Sequence, residues 1–378
     1  MTIAIALLTV LFATLTLLPL WRHPHWLVRG LDFPRLQLAV AGALLLLAQV
    51  FLLPMGALKL GAIAVTLPCL IWLLWWLLPY TRLWPVEVKQ AEDDAEGGAD
   101  GADDGSRISI LTANVLQSNR KADALIALVR QHRPDVLVAL ETNAWWEEQL
   151  DPLQDEMPFA VKCPQDNLYG MHVYSRLPIT AHKVDFIVED DVPSIHGQIT
   201  LRNGAAVCFH FLHPAPPGPT ENQESAERDA ELVVVARSIA KGDRLPTIVT
   251  GDLNDVAWST TTRLFRKISG LLDPRIGRGM FNTFHADYPL MRWPLDHLFH
   301  SDDFTLRSIT RLPPIGSDHL PLLTRLTYAP GRSAEQEGPV TDRDDRAQAD
   351  DIADAKGADH TDVPNPGASK TGPSTNRS

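Results

Sequence analysis

The sequence predicts an α/β domain set behind three membrane-length helices. Two observations carry that class. The first 80 residues hold three almost wholly apolar stretches, and from residue 108 onward short apolar, β-branched runs recur, each closing on a polar residue able to do chemistry.

In chain order, residues 1–20, 36–55 and 60–80 are the apolar stretches. Each is long enough to cross a hydrocarbon core of roughly 30 Å. Trp72, Trp75 and Trp76 near the end of the third suit a membrane interface. The first stretch has neither a basic leading segment nor an Ala-x-Ala cleavage site, so it reads as a helix that stays rather than a removed signal. Residues 1–84 are assigned to the membrane region. Residues 85–106 follow as an acidic linker, rich in Asp, Glu, Ala and Gly, and residues 329–378 form an acidic tail without periodicity. Both hold too few apolar residues to pack and are expected to be disordered. The folded domain is then 107–328.

Within it, residues 108–113 run into Asn114, 135–140 into Glu141, and 206–212 into His213. Residues 245–250 deliver Asp252 and Asn254, 293–299 contain Asp296, and Ser317-Asp318-His319 follows. Runs of this length and composition read as strands. Oxygen and imidazole groups gathered at strand ends are what a phosphoester-cleaving metal site requires. A hard divalent ion takes oxygen ligands and keeps several waters, which suits Mg²⁺, with Mn²⁺ as a substitute. Glu141 is the first choice of ligand, with Asn114 and Asp318 next. His319 and Asp296 fit a proton-transfer pair, because a carboxylate fixes the tautomer and stabilises the imidazolium. His213 would hold a non-bridging phosphate oxygen or protonate the leaving group, while Asp252 and Asn254 orient the nucleophile and the developing charge. Taken singly, each also has a structural reading: an Asx turn for Asp252 and Asn254, a cap for Ser317-Asp318-His319, a cap-adjacent carboxylate for Glu141. His210, alternating with His213, reads as a core histidine.

The ordered series Asn114, Glu141, Tyr169-Gly170, Ser175-Arg176, His213, Gly251-Asp252-Leu253-Asn254, Asp296 and Ser317-Asp318-His319 resembles the endonuclease/exonuclease/phosphatase superfamily, the DNase-I-like fold. The resemblance spans roughly 107–328 and includes the layout of membrane-anchored bacterial members. It implies a four-layer α/β sandwich, a Mg²⁺-dependent attack of water on a phosphoester, and metal binding centred on Glu141. It also implies that Asp252 activates or positions the water and that His319 contacts phosphate or acts as base; both divisions of role stay open. The candidate substrate contacts are Asn114, Tyr169, Arg176 and His297, with Tyr169 and Arg176 divided between packing and substrate contact. His297 stands where a Tyr or Arg is frequent, and is divided between substrate contact and structural filling. The run from His213 to Pro217 resembles the nuclease, sphingomyelinase and phosphatase branches more than the abasic-site branch.

A chain of 378 residues with 45% hydrophobic content holds one membrane region and one domain able to bury a core. Its three cysteines make no disulfide framework. The net charge of −12 comes largely from the linker and tail, and nothing supplies the basic stripe that tracks a nucleic-acid backbone. The favoured function is therefore a membrane-tethered, Mg²⁺-dependent phosphoesterase whose partners are the bilayer and a lipid-linked phosphate or pyrophosphate. The alternatives are a membrane-tethered nuclease acting on DNA and a non-catalytic domain that binds a membrane partner. The intact set of carboxylates and imidazoles counts against the latter. Arg22, Arg29 and Arg35 in the first loop, with Arg82 and Lys89 after the third helix, assign the domain to the cytoplasm by the positive-inside rule. The resemblance points the other way, and the reading leans to the extracytoplasmic side of a multi-pass membrane protein.

Overall fold

The structure, a computed structural model, describes residues 1–92, 105–219, 221–242 and 244–364. Helices α1 (Thr2–Leu17), α3 (Arg35–Leu52) and α4 (Ala57–Leu77) form an N-terminal bundle, with the single turn α2 (Trp26–Arg29) in the first loop. Three helical spans, Thr2–Trp21, Arg35–Leu52 and Ala57–Tyr80, are long and apolar enough to cross a membrane. Leu7, Val10, Leu47 and Phe51 lie exposed on their outer faces. Between the helices, the Gln49 amide donates to Thr9 Oγ1 at 2.9 Å and to Thr66 Oγ1 at 2.7 Å. Such bonds hold apolar helices in register, at about 0.6 kcal/mol each.

The α/β domain carries β1 (Arg107–Asn114), α5 (Ala122–His132), β2 (Val136–Leu140), α6 (Ala144–Leu150), β3 (Phe159–Cys163), β4 (Met171–Ser175), β5 (Ile179–Asp185), β6 (Ser194–Thr200), β7 (Ala206–Leu212), α7 (Ala226–Lys241), β8 (Thr247–Asp252), α8 (Thr260–Ser269), β9 (Asp296–His300), β10 (Phe304–Arg311) and β11 (Leu322–Tyr328). One sheet has the order β10-β11-β1-β2-β4-β3 and the other β5-β6-β7-β8-β9. Side chains alternate between the faces of a strand, and here both faces are covered. Ile108, Ile110, Val136 and Val138 meet Phe209, Phe211 and Ile248 between the sheets. Leu111, Ala113, Leu137 and Ala139 point outward to Leu125, Leu128 and Val129 of α5 and Trp146 of α6. Leu212, Val249 and Phe299 point outward to Leu232 and Val235 of α7 and Phe265 of α8. The result is a four-layer α/β sandwich.

That alternation places the chemistry. Thr112 and Thr250 touch across the sheets, Oγ1 to Oγ1, at 2.7 Å. Two residues further on, at the carboxyl ends of β1 and β8, the same inward parity delivers Asn114 and Asp252. Asp296 pairs with Asp252 across the β8–β9 ladder, and His213 continues the inward series of Phe209 and Phe211 just past β7.

Two expectations of disorder need correcting. The tail forms helix α9 (Arg343–Asp354), whose Ala349 and Ala353 are fully buried against α7 and α8 together with Val363. Two small apolar residues one turn apart suffice there because ion pairs flank them: Lys267 with Asp345 at 2.7 Å, Arg237 with Asp350, and Lys356 with Glu227. The start of the linker is also folded: Glu87 takes a bidentate bond from Arg266 at 2.5 and 2.7 Å, and Val88 is buried in the intersheet core. The rest of the linker, 93–104, and the last residues, 365–378, lie outside the described residues.

The N-terminal bundle is seated on the α/β domain. Tyr80 donates its hydroxyl to the Ala257 carbonyl at 2.7 Å, and the Trp258 indole donates to the Asp32 carbonyl at 2.8 Å. Arg35, ion-paired with Asp32, donates to the Trp258 carbonyl at 3.4 Å. The first loop and the segment after α4 thus meet the domain at the same end of the bundle.

Candidate active site

The strand ends converge on a cleft of about 290 Å³. Glu141, Tyr169, His213, Asp252, Asn254, Asp318 and His319 all line it. Glu141 is one residue past β2, where strict alternation would turn it outward, but its φ of 61° lies in the left-handed region and swings it inward. Asn254 has a φ of 50°. Non-glycine residues held there cost of order 1–3 kcal/mol each and persist where the surroundings over-determine them. Gly251, at φ +153°, is needed for another reason: a Cβ would lie 1.8 Å from the Leu212 carbonyl oxygen, so only glycine lets β8 approach β7 beside His213.

The hydrogen bonds order the site. Asn114 Nδ2 donates to Glu141 Oε1 at 2.7 Å and to Asp252 Oδ2 at 3.1 Å, while its Oδ1 accepts from the Leu116 backbone N–H at 3.1 Å. An N–H can only donate, and this orientation satisfies both ends of the amide. Asn114 thus serves here as a donor to both carboxylates. His319 is clamped between two carboxylates, with Nδ1 2.8 Å from Asp296 Oδ2 and Nε2 3.3 Å from Asp252 Oδ2. Burial alone would lower this imidazole; Asp296 and Asp252 more than reverse that and push it up to about 10. His213, by contrast, is lowered by burial to about 4, against the pull of Asp252. Its Nδ1 is buried without a partner. The two histidines of the site are thus shifted in opposite directions, one toward its cation and the other toward the neutral ring.

A divalent ion fits these residues. Burial pushes the Glu141 carboxyl up to about 7; the Asn114 amide and His319 oppose the shift, and the charges of Asp252 and Asp318 add to it. Asp296 Oδ1 is buried and unpartnered. The carboxylates exceed the protein cations that face them, which is the condition a bound cation relieves. Among the described residues, ligand atoms of Asp252, Asp296 and His319 lie within 4.8 Å of one another, a grouping that could hold an ion. Both nitrogens of His319, however, already face carboxylates, so the oxygens of Glu141 and Asp318 offer the more open position.

Two expected substrate contacts are not in the cleft. His297 is fully buried, with Nδ1 2.7 Å from Arg275 Nη2 and Nε2 2.9 Å from the Asp255 carbonyl. Adjacent to inward-facing Asp296, it must point outward, and the period of the strand could have excluded it. Arg176 donates to the Pro134 carbonyl at 3.1 Å, the Glu156 carbonyl at 3.0 Å and Glu156 Oε2 at 3.2 Å, so it fastens the end of β4 to neighbouring turns. His210 is buried beside His196, Nδ1 to Nδ1, at 2.7 Å. Tyr169 does line the cleft; its hydroxyl donates to Glu221 Oε2 at 3.0 Å and its ring lies 5.5 Å from that of His213.

Sequence reasoning missed Glu221, Phe284 and Phe33. Phe33 comes from the loop between α1 and α3 and lines the same cleft as Glu141, Asp252 and Asp318. Its ring stands edge-on to Trp293 at 5.7 Å; Trp293 stacks on Phe284 at 6.4 Å, and Phe284 lies 4.9 Å from the ring of His319. No local signal in a loop residue announces such a contact.

The model of the Endonuclease/Exonuclease/phosphatase family matches residues 111–319, more than half of the chain. The protein belongs to this family. Its members' shared fold is visible in solved structures: D. rerio TDP2 complexed with a single-strand DNA product is 17% identical with a TM-score of 0.50, covering 59% of this chain and 99% of that one. The Beutenbergia cavernae endonuclease/exonuclease/phosphatase is 18% identical (TM-score 0.48; 59% of this chain, 72% of that one). The human Nocturnin catalytic domain is 14% identical (TM-score 0.48; 59% and 95%). At these identities the likeness is one of fold. No curated protein sequence matches the chain. The family match supports a phosphoester hydrolase of the nuclease and phosphatase kind; outside it lie the N-terminal bundle, the linker, the start of β1, strand β11 and the tail.

Proposed function

We propose that this family member is a membrane-anchored, Mg²⁺-dependent phosphoesterase that hydrolyses a phosphoester or pyrophosphate of a lipid-linked substrate. The observation that carries the reading is Phe33. A loop between two membrane-length helices supplies one wall of the catalytic cleft, so the cleft mouth lies where the bundle meets the domain. Leu168, Phe284, Leu295, Pro216 and Pro217 continue that apolar wall around the carboxylates. A substrate with a phosphate head and an apolar tail matches such a lining, and tethering raises its local concentration.

The residues divide the work as follows. Glu141 and Asp318 would hold the ion, which draws negative charge from the phosphoryl oxygens when bound. Asp252, raised by burial, takes the proton of the attacking water. His319, kept cationic chiefly by Asp296, faces the charge that develops on the phosphoryl group. His213, neutral, donates a hydrogen bond to a non-bridging oxygen. Asn254 positions rather than reacts: its backbone N–H donates to Asp252 Oδ1 at 3.0 Å and its amide to the Pro214 carbonyl at 3.0 Å, tying Asp252 to the His213 loop. Of the two roles open to His319, this electrostatic pattern supports the phosphate-facing one.

The test is phosphate release from a prenyl pyrophosphate by the full-length protein in detergent, with Mg²⁺ and with EDTA, beside nicking of plasmid DNA. Mg²⁺-dependent phosphate release without nicking is expected. Nicking alone would return the protein to the nuclease branch and reduce the bundle to an anchor.

A further inference from the structure

A second cavity, of about 730 Å³, shares no lining residue with the cleft. Arg82, Arg278, Arg292 and Arg311 converge on it. Three of them are held by backbone carbonyls. Arg278 donates to Val88 at 2.6 Å, Arg311 to Asn282 at 2.7 Å, and Arg292 to His285 at 3.1 Å and to Ala286. A guanidinium has five N–H donors, so these carbonyls fix the forks without exhausting them and without cancelling their charge. Among the described residues no carboxylate forms an ion pair with any of the four. The contrast is with Arg228, Arg266 and Arg275, each of which faces a partner carboxylate in the same domain. Four like charges around one concavity, in a chain of net charge −12, repel one another until an anion enters.

The surroundings say where that anion comes from. Arg82 follows closely on the third apolar span, which ends at Tyr80, and Leu83 beside it is 85% exposed. The loop that carries Arg292 exposes Tyr288, Leu290 and Met291, and the Leu290 carbonyl accepts from Gln37 near the start of α3 at 2.7 Å. Bare apolar side chains beside arginines, at the level where two membrane-length helices end, match a headgroup layer.

We propose that this arginine pocket binds the phosphate headgroup of an anionic membrane lipid, separately from the catalytic cleft. The proposal rests on the bundle crossing a membrane, as in the reading above, but not on hydrolysis. Guanidinium forks match phosphate bidentately, which a diffuse positive surface does not. The headgroup would dock the domain with its cleft turned toward the bilayer.

The test is calorimetric titration of the full-length protein in neutral detergent with EDTA present. The probes are dihexanoyl phosphatidate, dihexanoyl phosphatidylcholine and inorganic phosphate. Phosphatidate is expected to bind at least about tenfold more tightly than phosphatidylcholine, and the double variant Arg82→Gln/Arg311→Gln to lose about that factor. The same variant should hydrolyse a small water-soluble phosphodiester at the wild-type rate. Arg82→Gln alone, at an exposed position, gives a second reading should the double variant fail to fold, with a smaller loss expected. Equally tight inorganic phosphate, lost in the same variants, would overturn the lipid assignment in favour of the free anion. Unchanged phosphatidate affinity in the variants, or its displacement by a lower concentration of single-stranded oligonucleotide, would overturn the proposal.

Discussion

Asp296 and His297 are neighbours on one strand and belong to two buried charged clusters of opposite character. Inward, Asp296 joins Asp252, Glu141 and Asp318, where carboxylates outnumber the cations facing them. Outward, His297 joins Arg275 and Asp273, where each charge is answered: Arg275 Nη2 lies 2.8 Å from Asp273 Oδ2 and 2.7 Å from His297 Nδ1. The Asp273 carboxyl, despite burial, is held below its ordinary value by Arg275. A balanced cluster needs nothing more and serves the fold. An unbalanced one is poised for a cation and an anionic substrate, and serves the reaction.

Substitutions on the two sides should therefore separate activity from stability. The largest effect is expected from Glu141→Ala: Mg²⁺-dependent turnover falls by at least about 10³-fold, while the thermal midpoint holds or rises, because a carboxylate repelled by its neighbours is removed. Unchanged turnover would refute the site. Asp296→Asn keeps the shape but withdraws a charge from His319, so kcat should drop by roughly 10²-fold with the circular-dichroism spectrum unaltered. On the balanced side, Arg275→Ala leaves Asp273 buried without its cation, and denaturant unfolding should show a loss of about 3–5 kcal/mol. Activity per folded molecule should survive it.

Glu231 sharpens the comparison with a buried carboxylate that has neither a cation nor a role in the cleft. Burial, with a contribution from Glu189, pushes it up to about 8. The folded chain then keeps a proton that the unfolded chain has lost above a pH of about 4.3. Its contribution is therefore favourable below that value and is lost as pH rises through about 8. Glu231→Gln should raise stability at pH 8 by roughly 1 kcal/mol and leave it unchanged at pH 4, as read from urea midpoints. The opposite pH order would contradict the assignment.

Much of this was legible in the sequence, for a physical reason. Strand ends in a two-sheet sandwich are read by apolar composition and by period two, which places Asn114, His213, Asp252 and Asp296 on the inward face; Glu141 and His319 were named from the ordered motif series, because a positive φ and a loop set their direction. The same period, applied one residue further, would have set His297 on the wrong face for a substrate. Arg176 was not excludable, since its carbonyl partners lie on turns whose approach only the fold reveals. Helix α9 escaped notice because two alanines and ion pairs to other helices carry no hydrophobic signal. The contacts of Phe33 with Trp293 and of Arg35 with Trp258 join residues more than two hundred positions apart. Arg35 is buried against the domain and ion-paired with Asp32, a packing role that its place in a loop does not announce.

In the proposed function, the loop between α1 and α3 and the α/β domain build one cleft for one lipid-linked substrate. Phe33→Ala tests it most directly, with kcat/KM measured in detergent for a prenyl pyrophosphate and for a small water-soluble phosphodiester. The account requires a loss of about tenfold or more for the prenyl substrate, since burying one large apolar side chain contributes roughly 1.5–3 kcal/mol, and no change for the soluble one. Equal loss for both, or no loss for either, would contradict it.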